Sequence, residues 1–155
     1  MIKIITIDKI KENAIKNLID LYLKRLENRQ KIEIIEIHPE KYHLSDSFEK
    51  AKDIEGDRII KKITNFSIST IISLDEKGHP FTSLDFSKMI AQTLNQKHLT
   101  FIIGGAYGLS ENVLKRSDFI LSLSKMTFTH ELARLFLIEQ IYRAYTLNNN
   151  IKYHN

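Results

Sequence analysis

Short β-branched runs alternate with longer stretches of helical spacing along this chain, and that alternation constrains its fold more than any other feature. Ile2, Ile4, Ile5 and Ile7 form the first run, and Ile10, Ala14, Leu18, Tyr22 and Leu26 follow at helical spacing. Ile32, Ile34, Ile35 and Ile37 form the second, which stops at Pro39. A polar loop to Ser47 then precedes a helical pattern through Ala51, Ile54, Ile59 and Ile63, with Gly56 inside it as a weak point. A third strand, Thr70 to Leu74, is expected to close in a turn at Asp75-Glu76-Lys77-Gly78 and Pro80, after which Thr82 and Asp85 form an N-cap box ahead of a helix from Leu84 to Leu94. The fourth strand, Leu99 to Ile103, runs into Gly104-Gly105-Ala106-Tyr107-Gly108. A short helix from Ser110 to about Arg116, a fifth strand from Phe119 to Leu123, a last helix from Thr129 to about Leu147 and a polar tail complete the chain.

Strands that are apolar on both faces and alternate with helices predict an α/β class protein. The expected architecture is a single domain over residues 1–155, a three-layer α/β/α sandwich with a mostly parallel sheet. In such sheets ligands bind beyond the carboxyl ends of the strands. Those ends are Leu74, the Gly104–Gly108 loop, and Leu123 to Phe128.

Composition removes whole classes of chemistry. The chain has 155 residues and no Cys, which excludes disulfide frameworks, thiolate nucleophiles, iron–sulfur clusters and Cys-based zinc sites. Its six His residues include no pair at i, i+4 and no H-E-x-x-H, so no metal site is expected. There is also no G-x-S-x-G nucleophile elbow. No stretch approaches the roughly 18 apolar residues of a membrane helix, so the expectation is a soluble, unexported, cytoplasmic protein without a membrane partner. The net charge of +4 permits a polyanionic partner without requiring one, and the excess lies mostly after residue 75.

Glycines clustered directly after a strand let backbone N–H groups approach a ligand. The glycines at 104, 105 and 108 match neither a Rossmann fingerprint nor a P-loop, and spacing alone leaves a tight strand-to-helix turn equally open. Leu123-Ser124-Lys125-Met126-Thr127-Phe128 mixes hydroxyls, a cation and large apolar groups where a second loop would line the same crevice, with Thr127 or Thr129 available as a helix cap. On the last helix His130 and Arg134 share a face, and Glu139 and Arg143 stand in the order that favours an intrahelical pair.

Taken together, Ile103-Gly104-Gly105-Ala106-Tyr107-Gly108-Leu109, Leu121 to His130, Arg134, Glu139-Gln140-Ile141-Tyr142-Arg143-Ala144 and Tyr153-His154 resemble the RlmH (YbeA-like) family of SPOUT methyltransferases. The resemblance extends over essentially the whole chain, including Lys9-Ile10-Lys11, Tyr22 to Leu26 and Glu55-Gly56. It implies a SPOUT-type fold with a C-terminal trefoil knot, a homodimer, and S-adenosyl-L-methionine as cofactor. The implied reaction is methylation of N3 of a pseudouridine in large-subunit ribosomal RNA, with the ribosome as partner and no metal. The implied cofactor contacts are Leu74, Gly104, Gly105, Gly108, Leu123, Ser124, Lys125, Met126, Thr127 and Phe128. Arg134, Tyr153 and His154 fall by analogy on the RNA-facing side, where they position substrate or handle its proton, with His130 supporting the loop. Three residues depart from the family pattern. Asp8 replaces a Gly, Thr129 replaces a Pro, and Tyr107 places a ring in the glycine loop. The competing readings are a non-catalytic RNA-binding or ribosome-assembly module on the same fold and a SPOUT methyltransferase with another RNA target.

Overall fold

The computed structural model describes residues 1–41, 47–66 and 68–153. In chain order the elements are β1 (Ile2–Ile7), α1 (Asn13–Leu26), β2 (Ile32–Ile37), α2 (Phe48–Ile63), β3 (Ser69–Pro80), α3 (Ser83–Leu94), β4 (His98–Ile103), α4 (Glu111–Arg116), β5 (Phe119–Ser122) and α5 (His130–Asn148). The strands pair in the order β2-β1-β4-β3-β5, every pair parallel.

Period-two burial explains why the strands read as continuous apolar runs. Phe101 and Ile103 of β4 face one way and join Ile2, Ile4, Ile72 and Leu121 under α1, α3 and α5. Ile102 faces the other way and joins Ile5, Ile7, Ile71, Ile59 and Val113 under α2 and α4. Both faces of the sheet are therefore core, and each fully buried Ile or Phe contributes about 1.5–3 kcal/mol relative to exposure. Thr129 caps α5 by accepting from the Leu132 N–H at 3.4 Å, so it performs locally the start signal that a proline would supply through its fixed φ. No helix among the described residues is long and apolar enough to cross a membrane.

Three expectations need correction. First, α2 runs unbroken through Gly56, because the missing side chain is a packing device: a Cβ there would lie 2.1 Å from Ser110 Oγ, the cap of α4. Second, β3 does not end at Leu74. It makes an excursion at 75–78, where the Lys77 N–H donates to Asp75 Oδ1 at 2.9 Å, and then rejoins the ladder so that Leu74 and His79 both pair with Leu121. Gly78 makes this return possible, since a Cβ there would stand 2.7 Å from the β5 backbone. Third, Tyr153 is held in place although it belongs to the polar tail. It packs edge-on against Tyr142 with ring centroids 4.8 Å apart.

Candidate functional site

Register brings the predicted loops to one edge of the sheet. Thr6 pairs with Glu36 on one side and Ile103 on the other, Ser73 pairs with Ile102, and Leu74 pairs with Leu121. The loop after β4 leads to α4 on one face, whereas β1 and β3 on either side lead to α1 and α3 on the opposite face. In sheets of this kind, ligand crevices form where neighbouring connections depart to opposite faces, as they do on either side of β4.

The loop folds tightly on itself. Gly108 N–H donates to Gly105 O at 3.2 Å, and a Cβ on Gly104 would lie 2.7 Å from both the carbonyl carbon and oxygen of Gly108. Gly108 itself has φ +78°, in the region that favours glycine. The Tyr107 ring is set against Phe48 of α2 at 5.0 Å between centroids, so the bulky replacement leans on a helix rather than filling the turn.

On the β3–β5 side, the loop from Leu123 to Phe128 is held by short polar contacts. Ser122 Oγ donates to Ser124 O at 2.9 Å, and Ser124 Oγ accepts from the Met126 N–H at 2.9 Å. Thr127 Oγ1 donates to Glu76 Oε2 at 2.5 Å, so the β3 excursion latches this loop. Beneath it lies a cavity of about 310 Å³ walled by Phe81, Phe86, Leu121, Leu123, Phe128 and Phe136, with the polar groups of Thr82, Ser83, Ser122 and Gln140. Leu123 and Phe128 thus line the cavity. Leu74 pairs in register with Leu121 but is not among the residues that line the cavity, nor are Gly104, Gly105 and Gly108; Ser124 and Thr127 shape the loop, and Lys125 and Met126 are exposed. Sequence reasoning missed the contribution of 81–86 and of Phe136 and Gln140; the Thr82 cap box marked only a helix start. A larger hollow of about 750 Å³, lined by Leu23 to Ile32, lies at the α1–β2 corner, by the amino ends of the strands.

The second cluster surrounds the carboxyl end of β1. Asp8 adopts φ 67°, which explains why glycine is the usual residue there; Asp is among the few side chains that enter this region readily. Burial works to raise the Asp8 pKa, but the Lys11 ammonium at 2.6 Å and the Lys9 N–H outweigh it and hold the carboxyl below its ordinary range. Glu131 of α5 accepts from the backbone N–H groups of Lys11 and Glu12, which pins the start of α5 beside this segment. Arg134 is only 4% exposed and reaches across to Glu36 of β2 at 2.7 Å. Glu55 of α2 is equally buried. Its Oε1 accepts from the Glu40 N–H at 3.0 Å, and its Oε2 lies against Gly105. Burial pushes the Glu55 carboxyl up, with the Glu40 N–H and Arg58 acting against it.

Tyr153 lies elsewhere, over α1 and α5. Its hydroxyl donates to Glu139 Oε1 at 3.1 Å and meets the Tyr22 hydroxyl at 3.3 Å, and the Arg143 guanidinium lies 4.9 Å from its ring centre. Burial, then the Tyr22 hydroxyl and the Glu139 carboxylate, raise its pKa well above that of an ordinary tyrosine. The Glu139–Arg143 pair expected from spacing is present at 2.6 Å. Within this chain Arg134 and Tyr153 are therefore not neighbours in one cluster, and His154 lies outside the described residues. Among the described residues no group of three His, Cys, Asp or Glu side chains could hold a metal ion.

Comparison with known proteins gives a consistent result. The family described as "Predicted SPOUT methyltransferase" matches residues 1–154. The chain is similar to the ribosomal RNA large subunit methyltransferase H of Exiguobacterium sp., 44% identical over 158 residues that cover 99% of this chain and 98% of the relative. It is 42% identical to the protein named ribosomal RNA large subunit methyltransferase H 1 in Clostridium perfringens, with the same coverage. A probable methylase family protein from Haemophilus influenzae shares the fold, with a TM-score of 0.56 and 11% identity over 99% of this chain and 70% of that one.

Proposed function

Because the chain belongs to the SPOUT methyltransferase family, we propose that it uses S-adenosyl-L-methionine to methylate N3 of a pseudouridine in large-subunit ribosomal RNA. The single observation that carries this reading is the cavity under the latched 123–128 loop, at the carboxyl ends of β3 and β5. Aromatic and aliphatic walls with a few hydroxyl and amide groups fit a nucleoside-containing cofactor, and about 310 Å³ falls at the lower end of the range for such sites. Leu123 and Phe128 would hold it, with Gly104 and Gly108 keeping the adjoining loop open to close approach. When bound, the sulfonium supplies a methyl group that is already activated, so no metal is needed.

What the protein must add is position and an environment in which N3 can give up its proton. Arg134 and His130 stand at the neighbouring strand end for that purpose, and the exposed Lys9, Lys11 and Lys125 offer charge to RNA phosphates. Leu84, Met126 and Phe136 are apolar, exposed and adjacent to the cavity wall, which supports a homodimer joined at that edge. In this reading the chain works as one domain over 1–155, in the cytoplasm, on the ribosome.

The test is calorimetric titration with S-adenosyl-L-methionine alongside a light-scattering mass, followed by methyl transfer to ribosomes with mass mapping of the modified nucleoside. Binding by a dimer and N3-methylpseudouridine in the product are expected. A well-folded protein that neither binds the cofactor nor modifies ribosomes overturns the assignment.

A further inference from the structure

The corner where α1 turns into β2 carries charge that the fold does not use. Residues 24–31 hold four cations against one acid, a local +3 in a chain whose net charge is +4. Arg25 is committed within the protein, its guanidinium lying 5.4 Å from the Tyr22 ring centre and 5.5 Å from that of Tyr142. Lys24, Arg29 and Lys31 are exposed, and none of the three enters an ion pair among the described residues. With Glu27, Asn28 and Gln30 they line the hollow of about 750 Å³. Lys24, in the last turn of α1, answers the helix dipole, but Arg29 and Lys31 lie beyond the helix, where that effect has died away. The helix end does not need their side chains as caps either. The Leu26 carbonyl already accepts from the Arg29 and Gln30 N–H groups at 3.0 Å, and the Lys24 carbonyl from the Glu27 N–H at 3.3 Å.

Backbone contacts fix this corner in place. Asn28 reverses the chain at φ 61°, a conformation that Asn enters readily, and the Lys31 carbonyl accepts from the Ile2 N–H at 2.9 Å, which ties the start of β2 to β1. Register sets Ile2 beside both Ile32 and Leu99, so Lys31 on one side and the exposed Lys97 and His98 on the other lead into the sheet at the same level. Those two strands flank β1, which puts their backbones about 10 Å apart. The cofactor cavity lies at the other end of the strands. A strand of 6 residues at about 3.3 Å each separates the two edges by about 20 Å, so this corner takes no part in methyl transfer itself.

An exposed cation attracts one anion only weakly in salt water, so a single phosphate or carboxylate gains little here. A partner with closely spaced negative charges gains from all the cations together, because each contact releases a counterion that the partner had condensed. Resting on the ribosomal reading above, we propose that the α1–β2 corner is a second RNA contact. Lys24, Arg29 and Lys31 grip the phosphate backbone of ribosomal RNA away from the target nucleotide, and Lys97 and His98 extend that track along the strand starts. Contacts to phosphate position a protein without reading sequence. The corner therefore contributes affinity for the ribosome and leaves the chemistry to the opposite edge of the sheet.

The experiment measures binding to ribosomes by co-sedimentation while salt is raised from about 50 to about 200 mM. It compares the unaltered protein with Lys24→Gln/Arg29→Gln/Lys31→Gln. A control, Lys61→Gln/Lys62→Gln/Lys115→Gln, loses the same charge from helices on the other face of the sheet. Loss of three phosphate contacts should lower the slope of log affinity against log salt by about 2–3, with affinity down at least about tenfold at the low-salt end. KM for ribosomes should rise, while kcat and cofactor affinity stay within about twofold of the parent. A slope within about 0.5 of the parent's overturns the proposal, as does an equal fall in the control, which would assign the effect to net charge. A fall seen with ribosomes but absent with protein-free large-subunit RNA assigns the corner to an acidic protein surface and also overturns it. Arg29→Gln alone, expected to lower the slope by about 1, replaces the triple variant if that variant melts early. Failure of the unaltered protein to methylate ribosomes overturns the functional reading instead, whereas normal methylation with an unchanged slope overturns only the second contact.

Discussion

Replacing Gly104 with alanine should impair cofactor binding far more than the same change at Gly105. The new Cβ would lie 2.7 Å from the Gly108 carbonyl carbon and oxygen and 3.1 Å from Gly108 Cα. All three are backbone atoms in a segment closed by the Gly108 N–H to Gly105 O bond, so no flexible side-chain end can give way. Relief requires the loop to open, and overpacking of this kind costs about 1–3 kcal/mol. If that cost falls on the binding-competent loop, the dissociation constant for S-adenosyl-L-methionine rises about 5- to 150-fold, at 1.4 kcal/mol per decade. At Gly105 the neighbours are Ile7 Cγ2 at 3.0 Å and Glu55 Oε2 at 3.2 Å, both on side chains that can shift, so the loss should stay within about fivefold. Gly108→Ala meets no atom within 4 Å but must hold φ +78°, which costs about 1–2 kcal/mol and should be partly recovered by Gly108→Asn. Calorimetry on the three variants, with urea unfolding to confirm that each is folded, gives the ranking. A folded Gly104→Ala protein that binds within about twofold of the parent, or a series in which Gly105→Ala is worst, would refute the reasoning.

Further outcomes are expected. Glu36→Ala should destabilise by about 1–2 kcal/mol, less than for a fully buried pair because Glu36 is half-exposed. Arg134→Met, which removes the buried charge together with its unpartnered donors, should stay within about 1 kcal/mol of the parent by urea unfolding yet lose methyl transfer. Tyr153→Phe removes the hydroxyl contacts to Glu139 and Tyr22 and should cost about 1 kcal/mol, while removal of 153–155 should reduce methyl transfer to ribosomes more than cofactor affinity. The last concerns pH. Because folding raises the Glu55 pKa, the stability tied to its protonated form is complete below the ordinary value of about 4.3 and is lost as pH rises through the folded value. The stability of Glu55→Gln relative to the parent should therefore increase from pH 4 to pH 7 in denaturant melts, and a flat or falling difference contradicts the assignment of burial as the cause.

Much of the fold was legible because it rests on local rules. The Thr82, Ser110 and Thr129 caps each accept the N–H three residues on, as their sequence positions imply. The glycine loop and the 123–128 loop were identified as strand-end features, and the structure puts them after β4 and β5, with β3 between the two strands. The errors arose where a local signal served a distant partner. Asp75 to Gly78 does contain a turn-like contact, but the chain returns to β5 because Gly78 permits a close approach to residues 120–121, which no local pattern reveals. Gly56 read as a weak point in a helix, whereas its missing side chain admits Ser110 from another element. Tyr153 read as part of a polar tail because its partners, Tyr22 and Glu139, come from two other segments.

By itself the sequence determined which residues form the strands and helices, apart from the full extent of β3, and that both sheet faces are buried. Those properties follow from period, branching and capping within about one turn of chain. The tertiary structure alone decided the order β2-β1-β4-β3-β5, and with it the cavity between α3, α5 and the ends of β3 and β5. It also decided that Glu55, on α2, and Arg134, on α5, are buried although both carry ionisable groups. Burial and strand order are properties of residues far apart in sequence. Their energetic consequences, a carboxyl pushed up by desolvation and a guanidinium left with free donors, exist only once the sheet is assembled.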